Sequence, residues 1–186
     1  MLLSVVLILS LAPLTLSAAT IYATTLLGSN EVPPTGSPAT GFATVTLNGD
    51  LLTVDEVFSG LTGGTAAAAH IHCCAPVGTN VGVAIPFTGF PAATSGTYNN
   101  TFDLTLDATY NGTFLSTNGG TAALAEAALI AGLNSFQSYA NIHNTTFGGG
   151  EIRGQLAIAP EPATTGLLLL GLMSLIARAR TVAKRR

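Results

Sequence analysis

His70 and His72 stand two positions apart in a run with strand character, Ala67 to Cys73. Successive side chains of a strand point to opposite faces, so residues i and i+2 share one, and both imidazoles project from the same side. A pair of that kind can share a metal ion. The remaining histidine, His143, also falls in a strand-like run and can complete a three-nitrogen set, with Glu151 as an oxygen ligand. Imidazole donors suit zinc or copper. A plainer reading fits the same residues: the histidines hydrogen-bond backbone carbonyls and loop ends, and the protein needs no cofactor.

Cys73 and Cys74 follow His72 directly and are the only cysteines. In an oxidising compartment adjacent cysteines can close a vicinal disulfide, pair with another chain, or ligate a metal beside His72. A catalytic thiolate is disfavoured, because it requires a lowered pKa and a persistently reduced state.

Other catalytic arrangements are missing. Ser59, Ser95 and Ser135 lie outside any Gly-x-Ser-x-Gly context. Asp103 and Asp107, if set along one strand, would lie about 13 Å apart, beyond the usual acid/base spacing of glycoside hydrolysis, and are expected to solvate the outer face. Gly148-Gly149-Gly150 has no following Lys and helix and reads as a loop, not a phosphate cradle. No catalytic residue is assigned, and the expectation is a protein that is not an enzyme.

Charge narrows the partners further. Of 186 residues only 8% are charged and 48% are hydrophobic. Five of the six basic residues, Arg178, Arg180, Lys184, Arg185 and Arg186, crowd the last nine positions. From Thr20 to Ala159 Arg153 is the lone basic residue against eight acidic ones, a formal charge of −7. Nucleic acid is therefore excluded as an expected partner, because phosphate binding needs a basic face.

The ends carry targeting signals. Leu2 to Leu16 is apolar and runs into Ser17-Ala18-Ala19, small residues of the kind a signal peptidase accepts, so residues 1–19 are expected to be a signal peptide cleaved after Ala19. No Lys or Arg precedes the apolar run. Near the other end, Pro160-Glu161-Pro162 precedes the apolar stretch 163–177 and the basic residues 178–186. Fifteen residues rise only about 22 Å as a helix, short of a hydrocarbon core of about 30 Å. Snorkelling by Arg178 and Arg180 can extend the span, and the basic cluster sets the C-terminus on the cytoplasmic side. A transmembrane anchor at 163–177, before any processing, is the expectation.

Between the ends, short alternating runs punctuated by Gly, Pro and Asn predict an all-β domain at 20–158. Strands are expected near Thr20 to Leu27, Thr40 to Leu47, Leu51 to Leu61, Ala67 to Cys73, Val81 to Pro86, Thr97 to Leu106, Ser138 to His143 and Glu151 to Ile158. Asn48-Gly49-Asp50 predicts a tight hairpin. The single expected helix is Thr121 to Leu133, rich in Ala and Leu, with Asn134 as its C-cap.

Five blocks occur in order: Asn30-Glu31-Val32-Pro33-Pro34, Ala39 to Asp50, Phe58-Ser59-Gly60-Leu61, Ala69 to Pro76, and Asn141 to Leu156. Together they resemble the CHRD domain. The resemblance implies an immunoglobulin-like antiparallel β-sandwich and an exported protein; it brings no metal role with it. The chain departs from the commonest closing block at Asn144, where a loop hydrogen bond is expected to change, and at Gly148, where the turn before Glu151 is expected to loosen. Residues 159–186 resemble a PEP-CTERM sorting tail, which implies export machinery and an exosortase as partners. The expected function is a surface-sorted, non-catalytic module of the bacterial envelope or extracellular matrix, in a binding or structural role. The alternative is a small extracytoplasmic metal-binding protein, of redox type or not, built on the three histidines.

Overall fold

A computed structural model describes residues 19–159. Residues 1–18 of the expected signal peptide 1–19, the Pro160-Glu161-Pro162 motif, the apolar stretch 163–177 and the basic end 178–186 lie outside the described residues. Among the described residues no helix is long and apolar enough to cross a membrane.

Nine strands form the domain: β1 (Thr20–Leu27), β2 (Thr40–Asn48), β3 (Leu51–Ser59), β4 (Ala68–Cys73), β5 (Val83–Pro86), β6 (Gly96–Asp103), β7 (Ser138–His143), β8 (Ile152–Gln155) and β9 (Ala157–Ile158). Helices α1 (Gly112–Thr117) and α2 (Ala122–Asn134) lie between β6 and β7. The strands follow the order β5-β4-β7-β8-β1-β2-β3-β6, with β9 also pairing with β1. The registered pairs are antiparallel.

Alternation builds the core. On β3, Leu52, Val54 and Phe58 face inward while Leu51, Asp55 and Val57 face out. On β2, Ala43 and Val45 do the same. The β2–β3 turn is two residues long, joining Asn48 to its partner Leu51, and Gly49 takes φ 58° there, where a Cβ would be strained.

The two strands at the ends of the order are drawn together by aromatic side chains. Phe87, immediately after β5, stacks on Tyr98 and Phe102 of β6 with centroids 5.3 and 6.1 Å apart. Phe90 packs on Phe58 and Tyr98, each at 5.2 Å. Contacts of this kind contribute about 0.5–1.5 kcal/mol each beyond area burial. The sheet thus curls around one core to which all of β1 to β8 contribute. Hydrogen bonding runs unbroken from β5 to β6, so the layers facing each other across the core form a β-sandwich made from one curled antiparallel sheet.

Several local expectations change. The expected strand Thr97 to Leu106 ends at Asp103, where the Asp103 side chain accepts from the Thr105 amide (2.9 Å) and hydroxyl (2.6 Å) and bends the chain. Asp107 therefore does not continue the strand. It begins a 3-10 turn, Asp107–Thr109, and its carboxylate accepts from the amide of Ala122 at 2.7 Å, satisfying a donor at the start of α2. α1 was not expected from the sequence; Asn111 caps it by accepting from the Thr113 amide at 3.0 Å. Asn134 is the last residue of α2 and not its C-cap, which is Ser135; the Asn134 side chain accepts from the Tyr22 hydroxyl at 2.7 Å.

Candidate metal centre

Strand parity sorts β4 and β7 into two faces. Ala69, Ile71 and Cys73 of β4, with Ser138, Ala140 and Ile142 of β7, are buried on one face. His70 and His72, with Tyr139, Asn141 and His143, take the opposite face. The register pairs His70 with Asn141, His72 with Tyr139 and Ala68 with His143, which puts His143 diagonally across from His70. Asn141 pairs in turn with Arg153 of β8. A polar layer thus covers the outer side of three adjacent strands.

Within that layer the three histidines converge. Ring centroids are 5.5 Å apart for His70 and His72, 4.9 Å for His70 and His143, and 5.9 Å for His72 and His143. One nitrogen from each lies within 4.8 Å of the others. His70 Nδ1, His72 Nε2 and His143 Nε2 are buried and have no hydrogen-bond partner. Their opposite nitrogens explain the orientation of two rings: His72 Nδ1 lies 2.7 Å from the carbonyl of Val81, and His143 Nδ1 lies 3.0 Å from that of Gly148. A carbonyl only accepts, so Nδ1 carries the proton and Nε2 keeps its lone pair.

Burial also keeps these rings neutral. It pushes His70 down to about 4, helped by the neighbouring His143 and His72. His72 is likewise lowered to about 4, chiefly by burial, which outweighs its bond to Val81. His143 is lowered for the same main reason. Neutral imidazole is the form that binds metals, and the arrangement offers three such donors.

The ring of Tyr139 lies on His72 with centroids 4.7 Å apart and planes within 4°. The Arg153 guanidinium sits over the Tyr139 ring at 4.4 Å. Arg153 is buried, and its Nε donates to Glu31 Oε2 at 2.6 Å while Nη2 donates to Asn80 Oδ1 at 2.5 Å. Asn80 donates back to the Val32 carbonyl at 2.8 Å, so the loops on either side of the histidines are fastened through Arg153. Burial holds the Glu31 carboxyl above its usual range although Arg153 pulls it down.

Glu151 does not join the histidines. Its Oε1 accepts from the Ser37 hydroxyl (2.6 Å), the Thr62 amide (2.7 Å) and the Thr62 hydroxyl (2.8 Å). Its Oε2 accepts from the Gly63 amide at 3.3 Å and from Asn144 Nδ2. Burial raises the pKa of this carboxyl, but the donors from Ser37, Thr62 and Gly63 outweigh it and the net shift is downward. A carboxylate so fully engaged ties loops together and is not available to a cation; the expected oxygen ligand is corrected to a loop anchor. Asn144, at the departure from the commonest closing block, serves the same anchor, and its Oδ1 accepts from the amides of Thr146 and Phe147.

Cys73 and Cys74 are joined to each other, against α2. Cys73 points to the core face, opposite His72, so it does not ligate with the histidines. Both sulfurs lie where a Cβ on Gly132 would fall, which makes glycine necessary at that turn of α2.

Glu31, Asn80, Tyr139 and Arg153 were not singled out as site residues from the sequence. Arg153 had one signal, as the lone basic residue between Thr20 and Ala159. Tyr139 had another, sharing the parity of His143 on the same strand.

No curated protein and no solved structure matches the chain at a significant level. A family model for the CHRD domain matches residues 22–156, which takes in most of β1, all of β2 to β8 and every residue of the histidine cluster, and the chain belongs to the CHRD domain family.

Proposed function

We propose that this CHRD domain is an extracytoplasmic metal-binding module in which His70, His72 and His143 hold one transition-metal ion. The observation that carries the reading is the convergence of three imidazoles, one nitrogen of each within 4.8 Å of the others, with a buried and unpartnered nitrogen on every ring. Buried polar atoms are nearly always hydrogen-bonded, and three such orphans in one cluster favour a ligand. Among the described residues His70 Nδ1 and His143 Nε2 have no partner, and Asn141 is the side chain whose hydrogen bond acts on His72. Zinc and copper are among the ions that suit an all-imidazole set.

The export reading belongs with this proposal: a signal peptide at 1–19, a PEP-CTERM tail recognised by an exosortase, and delivery to the cell envelope or surface. An immunoglobulin-like class for the sandwich is part of the same reading. No catalytic residue is assigned.

The test is metal analysis of the purified chain after loading with zinc or copper, beside a His70→Ala chain. One ion per chain, lost in the variant while the β-type circular dichroism remains, supports the proposal. Equal metal content in the two chains returns the domain to a non-catalytic structural or binding module.

A further inference from the structure

The way the three ligands are distributed says what kind of metal site this is. Structural metals usually bridge segments that little else holds together. Here all three histidines lie on β4 and β7, which already pair through six register positions from Ala68–His143 to Cys73–Ser138. The core face of the same two strands is sealed by Ala69, Ile71, Ala140 and Ile142. An ion would add no new cross-link to the fold.

The donor set is also incomplete for a closed site, which for zinc takes four protein ligands. Among the described His, Cys, Asp and Glu side chains the cluster offers three donors; Asn141 Oδ1, unpartnered in the same polar layer, is a neutral amide oxygen outside the Cys, His and carboxylate set that closes zinc sites. Glu151 is consumed by Ser37, Thr62, Gly63 and Asn144. Cys73 is turned to the other face and joined to Cys74. Glu31 is engaged by Arg153.

Access and charge point the same way. His72 is buried, whereas His70 and His143 are half-buried although their unpartnered nitrogens are covered, so only a thin layer separates the cluster from solvent. Among the described residues no carbonyl bonds His70, so one ligand can adjust to what the ion carries. The cation beside the cluster, Arg153, sits over the Tyr139 ring that stacks on His72 and is paired with Glu31 at 2.6 Å, so its charge is balanced and the ion's own positive charge is what draws water or an anion.

We infer that an ion held by His70, His72 and His143 keeps a fourth, exchangeable coordination position that takes water or a small anion. This rests on the metal-binding reading and adds that the site is open. Binding at that position exchanges one ligand on the ion for another and changes no oxidation state.

Cobalt(II) and azide provide the test. The full chain is loaded with cobalt(II), its visible absorption bands are recorded, and azide is added stepwise, alongside a His70→Ala chain. The expected result is one cobalt per chain and a saturable band shift with one azide per cobalt, absent from the variant. Cobalt uptake with bands that azide leaves unchanged overturns the open position and leaves the metal-binding reading standing. Failure to take up cobalt, zinc or copper overturns both. An azide shift of equal size in the His70→Ala chain places the responding ion elsewhere and overturns the inference.

Discussion

Tyr139 lies flat against His72, with 4.7 Å between ring centroids and 4° between planes, and its hydroxyl accepts from the amide of Val81 at 3.3 Å. Val81 is also the residue whose carbonyl holds His72 Nδ1. Stack and loop therefore fix the same imidazole from two directions, and Arg153 closes the stack from the far side. Groups that orient a ligand without touching the metal commonly change affinity by about 10–100-fold when removed. Tyr139→Leu is expected to weaken zinc binding within that range while leaving one ion per chain at saturation. Tyr139→Phe keeps the stacked ring and should lie close to wild type. Competition with a chelator of known affinity measures both, and equal affinity in the leucine variant and wild type would remove Tyr139 from the site.

Glu151 makes the opposite prediction. Its carboxylate receives five hydrogen bonds from Ser37, Thr62, Gly63 and Asn144. Removing it strands buried donors, each costing about 1–3 kcal/mol. Glu151→Ala should therefore lower the urea midpoint by the equivalent of on the order of 3 kcal/mol or more. Metal per folded chain should not change. The downward shift of the Glu151 pKa adds a pH signature: its contribution is present above the usual value of 4.5 and is lost as pH falls through the folded-state value. Loss of metal from a Glu151→Ala chain that remains folded would restore Glu151 as a ligand.

The two residues show what was legible beforehand and what was not. Alternation alone put His70 and His72 on one face, because a period of two fixes facing without any knowledge of partners. That His143 comes to the same face depends on β4 pairing with β7 in a register with Ala68 opposite His143, a contact between residues about seventy positions apart that no local pattern encodes. Glu151 stood as a candidate because a carboxylate is a metal-ligating group. Its real role depends on the loops bearing Ser37 and Thr62, which reach it from far upstream. The ends of strands were misjudged for a similar reason: at Asp103 a side chain captured by Thr105 stops β6 while the apolar alternation runs on to Leu106. The single curled sheet was hidden because two facing layers give the same alternation whether or not hydrogen bonds join them.

Processing of the C-terminus is testable separately from the metal. Pro160-Glu161-Pro162 followed by a short apolar stretch and a basic end leads to the expectation that mature surface protein ends near Pro160. Mass spectrometry of intact protein recovered from the cell surface measures this directly. Peptides reaching Arg186 in that material would mean that the tail stays in place as an ordinary anchor.

Glu56 offers the last test, in the core. It faces inward on β3 between Val54 and Phe58 and is 3% exposed. Neither carboxyl oxygen has a hydrogen-bond partner. Burial pushes its pKa up from 4.5 to about 8, so the folded protein holds a neutral carboxylic acid there at pH 7. Between those two values the folded chain binds a proton that the unfolded chain has released, and the sign of linkage then makes stability fall as pH rises. The contribution of the neutral acid is complete below about 4.5 and is lost on the way up through about 8. The histidines act in the opposite sense at lower pH: their folded-state values of about 4 for His70 and His72, against 6.5, make stability rise with pH over that interval. The two effects overlap, so the informative quantity is the difference between wild type and Glu56→Gln, in which the histidine contribution cancels. Urea unfolding at a series of pH values should show the variant gaining on wild type steadily from pH 5 to pH 8. Glu56→Leu, which also removes the unpartnered polar atoms, should gain by the same slope from a higher starting point. A difference that stays constant across the interval would mean that Glu56 ionises at its ordinary pKa and finds a partner for its charge.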